Sequence, residues 1–112
     1  MSPIRLTHAT ALILRSLASG SRHGFQIMEV TGLPSGTVYP VLRRLEREAA
    51  VVSVWEDGEA ATAAGRRQRR VYGLTESGQR VAELARQRLA DTQRVLSEVD
   101  LGDLDASGAK GA

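Results

Sequence analysis

The chain has no cysteine, and only one of its fifteen cationic residues is a lysine. The lack of cysteine excludes disulfides, thiolate metal sites and a cysteine nucleophile. No segment approaches the roughly 20 apolar residues of a membrane-spanning helix, because Arg15 interrupts the most apolar stretch, residues 9–18. The first residues do not have the layout of a signal peptide. We therefore expect a cytoplasmic protein, and 112 residues favour a single domain.

The cations are almost all arginine, and their position tells more than their number. Residues 1–99 carry a net charge of +4, whereas residues 100–112 are acidic. Arginine presents a planar fork that suits phosphates and guanine edges. Genomic base composition also favours arginine codons, so the composition alone does not decide between a functional and a neutral origin of this bias.

The first half of the chain predicts three helices. Helix one covers about residues 7–17 with Thr7 as its cap, and helix two covers about residues 24–31. A turn follows, in which Gly32 adopts positive φ and Leu33 packs beneath it. Ser35 is predicted to cap helix three, which runs to about residue 49. Its buried face is marked by spacings of four and three, at Val38, Leu42 and Leu45.

The second half predicts a β-hairpin and one long helix. Residues 51–55 and 69–74 have the composition of strands, and residues 56–67 show no helical periodicity. Thr75 is predicted to cap a final helix over residues 76–99. The expected fold is mainly α with a small β-hairpin, a winged helix-turn-helix in residues 1–75. Residues 76–100 form a long C-terminal dimerisation helix, and residues 101–112 are expected to be a disordered tail.

The third helix carries the strongest functional signal. Its predicted exposed face is rich in hydroxyl and guanidinium groups, which suit phosphates and base edges. Tyr39 has no position in the core to fill, since it lies opposite the buried face. An ordinary amphipathic helix is the alternative interpretation. The predicted DNA contacts from this region are Ser35, Gly36, Thr37, Tyr39, Arg43, Arg44 and Arg47, with His23 at the start of helix two.

A second cationic cluster lies at the tip of the hairpin. Arg66, Arg67, Arg69 and Arg70 place four cations in five positions without an acid among them. A wing that lies across a phosphate backbone or enters a minor groove uses such a cluster. A solvated run of charges is the alternative. Strand periodicity predicts that Arg67 and Arg69 share one face and that Arg66 and Arg70 share the other.

The length of the last helix indicates that a partner covers part of it. A helix of about 24 residues is near 36 Å long, too long for the small core to cover. A coiled-coil-like seam spaced by three and four residues supplies the predicted dimer interface, with packing against the chain's own domain as the alternative for some positions. The seam consists of Ala82, Ala85, Leu89, Thr92, Leu96 and Val99, and Val81, Leu84 and Val95 add a second apolar edge.

Catalysis and metal binding have little support in the sequence. His8 and His23 are the only histidines and lack a companion set of metal ligands. Ser35 and Thr37 have no base placed to activate them. We expect no enzyme activity, no cofactor and no metal.

Several motifs together resemble the PadR family of bacterial transcriptional regulators. They are His23-Gly24-Phe25, the run Gly36-Thr37-Val38-Tyr39-Pro40 with Leu42, Arg44, Leu45 and Glu46, then Trp55-Glu56, Arg69-Arg70-Val71-Tyr72 and Leu74-Thr75-Glu76-Ser77-Gly78. The resemblance covers roughly residues 9–100. It implies a dimeric winged-helix repressor whose single C-terminal helix forms the dimer. Phe25 departs from the tyrosine common in the family.

The predicted function is therefore a sequence-specific DNA-binding regulator, a homodimeric repressor relieved by an unidentified signal. Its partners are a double-stranded, palindromic operator, a second copy of the chain, and a small-molecule or protein effector. One alternative is a winged-helix protein-interaction module, which would show an apolar exposed face on helix three. A non-specific nucleoid protein is another.

Overall fold

The computed structural model describes the backbone of residues 4–111 and the side chains of residues 4–99. Four helices and two strands follow one another in the predicted order, and one additional short helix lies between the strands. The elements are α1 (His8–Ala18), α2 (Gly24–Thr31), α3 (Ser35–Arg47), β1 (Val51–Trp55), α4 (Gly58–Ala63), β2 (Arg70–Leu74) and α5 (Glu76–Gly111). The predicted fold class, mainly α with a β-hairpin in a winged helix-turn-helix, is confirmed.

Helix α1 lies at the centre of the core. Thr7 caps it, because its Oγ1 accepts a hydrogen bond from the backbone N–H of Thr10 at 3.1 Å. Ile13 and Leu14 of α1 are fully buried, as are Ile27 of α2 and Leu42 of α3. The three helices thus share one apolar interior, which fixes how α2 and α3 sit against each other.

The turn between α2 and α3 has the predicted chemistry at Gly32 but not at Ser35. Gly32 adopts φ 73°, a left-handed conformation that ends α2, and Leu33 packs against the core. The predicted cap at Ser35 is wrong, since Pro34 occupies the N-cap and Ser35 is the first helical residue. The carbonyl of Pro34 accepts the N–H groups of Thr37 and Val38 at 2.9 and 3.0 Å, so α3 begins without a side-chain cap.

The hairpin pairs β1 and β2 antiparallel, with Val51 opposite Leu74 and Trp55 opposite Arg70. The loop between the strands contains α4, which the sequence analysis missed. Asp57 caps α4 by accepting the N–H of Glu59 at 3.0 Å, and Ala61 is its buried residue. A six-residue helix with one buried alanine leaves no apolar periodicity to detect.

The end of α3 and the start of α5 meet at residues 49–50. Ala49, in the turn that follows α3, adopts φ 61°. Its carbonyl accepts hydrogen bonds from Thr75 Oγ1 at 2.7 Å and from Ser77 Oγ at 3.1 Å. Thr75 caps α5 as predicted, because its Oγ1 accepts the N–H of Gly78 at 3.0 Å. Gly78 lies directly on Ala50: a Cβ there would stand 1.9 Å from the Ala50 carbonyl oxygen.

Helix α5 packs on α1 and then continues beyond it. Ala82 and Ala85 are 1% and 0% exposed in this packing. The sequence predicts that the helix ends near Val99 and that a disordered tail follows, whereas the helix continues to Gly111. Helix propagation needs only one further hydrogen bond per residue, and no proline interrupts this segment. No helix within residues 4–111 combines the length and apolar character needed to cross a membrane.

Replacing Gly78 by Ala is expected to destabilise the fold by roughly 1–3 kcal/mol, the usual cost of forcing atoms into a packed interior. The added methyl group meets the backbone of Ala50, which cannot rotate away as a side chain would. Thermal unfolding followed by circular dichroism measures the effect. Gly36→Ala is the matched control, because no atom lies within 4 Å of its Cβ position. Equal melting temperatures for both variants would contradict the close packing.

Candidate nucleic-acid interface

Helix α3 presents a polar side to the solvent, as its pattern predicts. Val38, Leu42 and Leu45 are fully buried. On the outer side, Arg43 and Arg47 are exposed, and Ser35 and Gly36 are exposed in the first turn. Thr37 is half-buried. Together, these groups place guanidinium donors, two hydroxyls and free backbone N–H groups along one end and side of the helix.

Tyr39 also lies on this surface, but its ring packs against α2, a role that was not predicted from the sequence. Its side chain is 37% exposed. A Cβ on Gly24 would lie 2.4 Å from the Tyr39 hydroxyl and 2.5 Å from its ring, so the ring rests on the first residue of α2. The contact holds Tyr39 against α2 while part of the side chain stays accessible.

Arg44 does not share this surface with Arg43. Its Nη2 donates to Thr10 Oγ1 at 2.5 Å and to the Arg5 carbonyl at 3.4 Å, and its Nε is buried. Neighbouring residues on a helix point about 100° apart, so Arg43 faces solvent while Arg44 turns towards α1. Arg44 thus ties α3 to α1, an internal role that differs from the DNA contact predicted for it from the sequence.

The wing, which consists of β1, α4, β2 and the loops between them, contains an acid, Glu56, that was not predicted to contact the arginine cluster. The Glu56 carboxylate accepts two hydrogen bonds from the Arg66 guanidinium and one from the backbone N–H of Arg69 at 2.8 Å. The Arg69 Nε lies 3.7 Å from the same carboxylate. The predicted faces are wrong here, because Arg66 and Arg69 converge on Glu56. Extending the strand register by one residue beyond Trp55 and Arg70 would have placed Glu56 opposite Arg69.

The other two wing arginines differ from each other. Arg70 stacks on Trp55, 5.1 Å from the ring centre, and its Nη2 donates to Ser53 Oγ at 2.8 Å. Arg67 is exposed, and among the side chains that the structure describes it has no hydrogen-bond or ion-pair partner. Arg67 is therefore the wing cation most available to a phosphate.

His23 acts as part of a helix start. It is the N-cap of α2, and its Nδ1 lies 3.0 Å from Gln26 Oε1. That same oxygen accepts the backbone N–H groups of Arg22 and His23 at 2.7 and 3.2 Å. The ring lies at the edge of the surface formed by α3 and the wing. No group of three or more metal-ligating side chains occurs within the described part of the chain.

Helix α2, helix α3 and the wing enclose a cleft of about 640 Å³. All four aromatic residues of the chain line it: Phe25, Tyr39, Trp55 and Tyr72. Arg43, Arg69 and Arg70 add guanidinium groups to its wall, and Glu46 adds one carboxylate. Burial raises the pKa of Tyr72 above its usual value, so this hydroxyl remains protonated at neutral pH. The surface offers donors for phosphates and flat rings for nucleotide faces.

The predicted dimer seam divides into two parts. Ala82 and Ala85 are buried against α1, and Leu89 packs against the same core. Thr92, Leu96 and Val99 are exposed. Leu96 and Val99 of the seam are exposed large apolar side chains, and so are Leu84 and Val95 of the second apolar edge. These four residues form the exposed apolar side of α5. An i, i+3, i+4 spacing does not distinguish packing on the own domain from packing on a partner.

The fold is that of winged-helix transcription regulators. A solved structure of a PadR family regulator of Clostridium difficile R20291 shares it, with 22% identity and a TM-score of 0.67, over 82% of this chain and 97% of that one. A single-residue mutant of ZitR of Lactococcus lactis shares it with 20% identity and a TM-score of 0.66, over 100% of this chain and 80% of that one. PcaV of Streptomyces coelicolor in complex with its natural ligand shares it with 21% identity and a TM-score of 0.67, over 94% of this chain and 72% of that one. No curated protein matches the sequence.

The sequence itself shows the family to which this chain belongs. The model of the transcriptional regulator PadR-like family matches residues 13–84, which is more than half of the chain. The protein belongs to this family. The matched segment includes α3, the wing and the start of α5, so the surface described above lies inside it.

Two neighbouring arginines are expected to behave differently when replaced. Arg44→Ala should lower the melting temperature, because it leaves the Thr10 hydroxyl and the Arg5 carbonyl without their donor. Arg43→Ala should leave the melting temperature unchanged and weaken DNA binding. Circular dichroism and a fluorescence-anisotropy titration on both variants measure this difference. An Arg44→Ala variant of unchanged stability with reduced DNA affinity would return Arg44 to the interface.

Proposed function

We propose that the protein is a homodimeric repressor that binds a specific operator through α3 and the wing. The observation that carries this proposal is the exposed side of α3, which presents Tyr39, Arg43 and Arg47 at successive intervals of four residues, while the wing exposes Arg67. Apart from the Tyr39 ring, that side of α3 exposes no large apolar side chain. It therefore favours nucleic acid over the protein-interaction alternative.

The proposed contacts divide into two kinds. Arg43 and Arg47 reach base edges or phosphates from the middle and end of α3, since guanidinium groups pair with guanine and with phosphate. Thr37 and the backbone N–H groups near Ser35 and Gly36 bind phosphate at the helix start. Arg67 contacts the backbone of the adjacent DNA segment from the wing, a sequence-independent contribution.

The proposed dimer forms through α5. Leu84, Val95, Leu96 and Val99 are each at least 50% exposed, and large apolar side chains in a row on one helix are typical of a surface that a partner covers. A second copy would bring a second α3 to the DNA. Two recognition helices then read half-sites about 10–10.5 base pairs apart, in a palindromic operator. Release of this operator by a small-molecule or protein effector completes the proposed repression cycle.

The test of DNA recognition compares the upstream region of the protein's own gene with a scrambled duplex. Anisotropy titrations should show tighter binding to the upstream duplex, with affinity falling steeply as salt rises. Tyr39→Phe keeps the ring on Gly24 and removes only the hydroxyl. It should keep its melting temperature and lose roughly 3–10-fold in specific affinity, the usual worth of one hydrogen bond.

Equal affinity of the wild type for the upstream and scrambled duplexes would contradict sequence-specific recognition. If the wild type does discriminate but both Tyr39→Phe and Arg43→Ala bind as tightly as it does, then α3 does not enter the groove.

The dimer is tested by adding a charge to the exposed apolar side of α5. Leu96→Glu is expected to convert the dimer to a monomer, since a carboxylate buried between two helices has no partner to offset its desolvation. Ala90→Glu, an exposed position on the same helix, is the matched control and should remain dimeric. Sedimentation velocity measures both. A dimeric Leu96→Glu variant would show that another surface holds the two copies together.

A further inference from the structure

The contacts of Glu56 bear on how many cations the wing offers to DNA. Its side chain is only 12% exposed. It accepts two hydrogen bonds from Arg66 and the backbone N–H of Arg69. A guanidinium held by two parallel hydrogen bonds to a carboxylate uses the same donors with which it would grip a phosphate.

The position of Glu56 is fixed from both sides of the hairpin. Its N–H donates to the Arg69 carbonyl at 2.9 Å, and its own carbonyl accepts the side-chain amide of Gln68 at 2.8 Å. These bonds hold the carboxylate at the base of the loop that carries Arg66 and Arg67. A phosphate that approaches Arg66 therefore meets a donor that already has a preorganised anionic partner.

We propose that Glu56 acts as an intramolecular competitor of DNA phosphate, holding the Arg66 guanidinium so that the wing of the free protein presents Arg67 as its available cation. This inference rests on the proposed DNA-binding function and names a residue that limits its sequence-independent part. The affinity for arbitrary DNA depends on how many phosphates the protein neutralises. By occupying the Arg66 guanidinium, Glu56 keeps that number low and leaves recognition to α3.

The Glu56 carboxylate is permanently charged under physiological conditions. The Arg66 hydrogen bonds lower the pKa of Glu56 from 4.5 to about 2. A carboxylate whose pKa is depressed in the folded state contributes its stabilisation above its ordinary pKa and loses it only as the pH falls through the lowered value. The contact therefore persists from neutral pH until the pH approaches the lowered pKa of about 2, and above that pH only a stronger anion or a mutation removes it.

The decisive variant is Glu56→Gln. Glutamine retains an oxygen that accepts the Arg69 N–H, so the loop keeps its backbone contact, but it no longer neutralises a guanidinium. We expect tighter binding to a scrambled duplex and a log–log salt slope steeper by up to about 0.9, the contribution of one additional phosphate contact. Anisotropy titrations over a series of salt concentrations measure both quantities.

The matched control is Glu59→Gln. Glu59 is an exposed acid on α4 of the same loop, so its substitution changes the net charge equally without freeing Arg66. A slope change that is the same in the two variants, or weaker binding by Glu56→Gln than by the wild type, would overturn the proposal. A wild type that binds no DNA would instead overturn the proposed function, so the two failures are distinguishable.

Two further variants keep the test valid if Glu56→Gln melts at a lower temperature. In the wild-type background, Arg67→Ala should reduce the salt slope by up to about 0.9, whereas Arg66→Ala should leave it nearly unchanged because Arg66 is already occupied. Equal losses from Arg66→Ala and Arg67→Ala would show that Glu56 does not withhold Arg66 from DNA, and would overturn the proposal.

Discussion

Helix α3 and the long C-terminal helix α5 are joined through one short backbone segment, Ala49 and Ala50. The Ala50 carbonyl accepts the N–H of Thr75 at 3.0 Å, while the Ala49 carbonyl accepts the hydroxyls of Thr75 and Ser77. Because Gly78 has no side chain, α5 can lie directly on this segment. The direction in which α3 points is thereby set relative to α5, and the spacing of the two α3 helices in the proposed dimer depends on that geometry.

The arginines of this chain serve different purposes, and their number alone does not describe a DNA-binding surface. Arg44 ties α3 to α1, and Arg66 is held by Glu56. Arg88 donates to the Leu6 carbonyl at 2.6 Å and so ties α5 to the segment before α1. Arg43 and Arg67 remain exposed. A positive surface results from the few cations that the fold leaves without an internal acceptor, not from the total charge.

Local chemistry made much of the fold predictable. Gly32 at a turn, Thr75 before a helix and the β-branched run 51–55 each act through neighbouring backbone, so the sequence predicts them without reference to the rest of the molecule. The bounds predicted for α2 and β1 agree with the structure. The short helix α4 and the extension of α5 were missed because neither depends on an apolar periodicity.

The site was harder to predict because it depends on contacts between distant residues. Arg44 and Arg43 are equivalent in the sequence, and only the position of Thr10 on α1 distinguishes them. Glu56 neutralises Arg66 from ten positions away, across the hairpin loop. Ala82 and Ala85 belong to a regular seam, but their small size lets α5 approach α1 rather than a partner. In each case, the tertiary packing decides between interpretations that the sequence leaves open.

The proposed function requires that two copies of the chain place their α3 helices in successive major grooves of one operator. Interference by guanine N7 methylation tests it most directly, since this methyl group lies in the major groove. A dimer bound in this way gives two clusters of interfering guanines about 10–10.5 base pairs apart, related by the symmetry of the site. A single cluster, or a complex that forms equally well on fully methylated DNA, would contradict it.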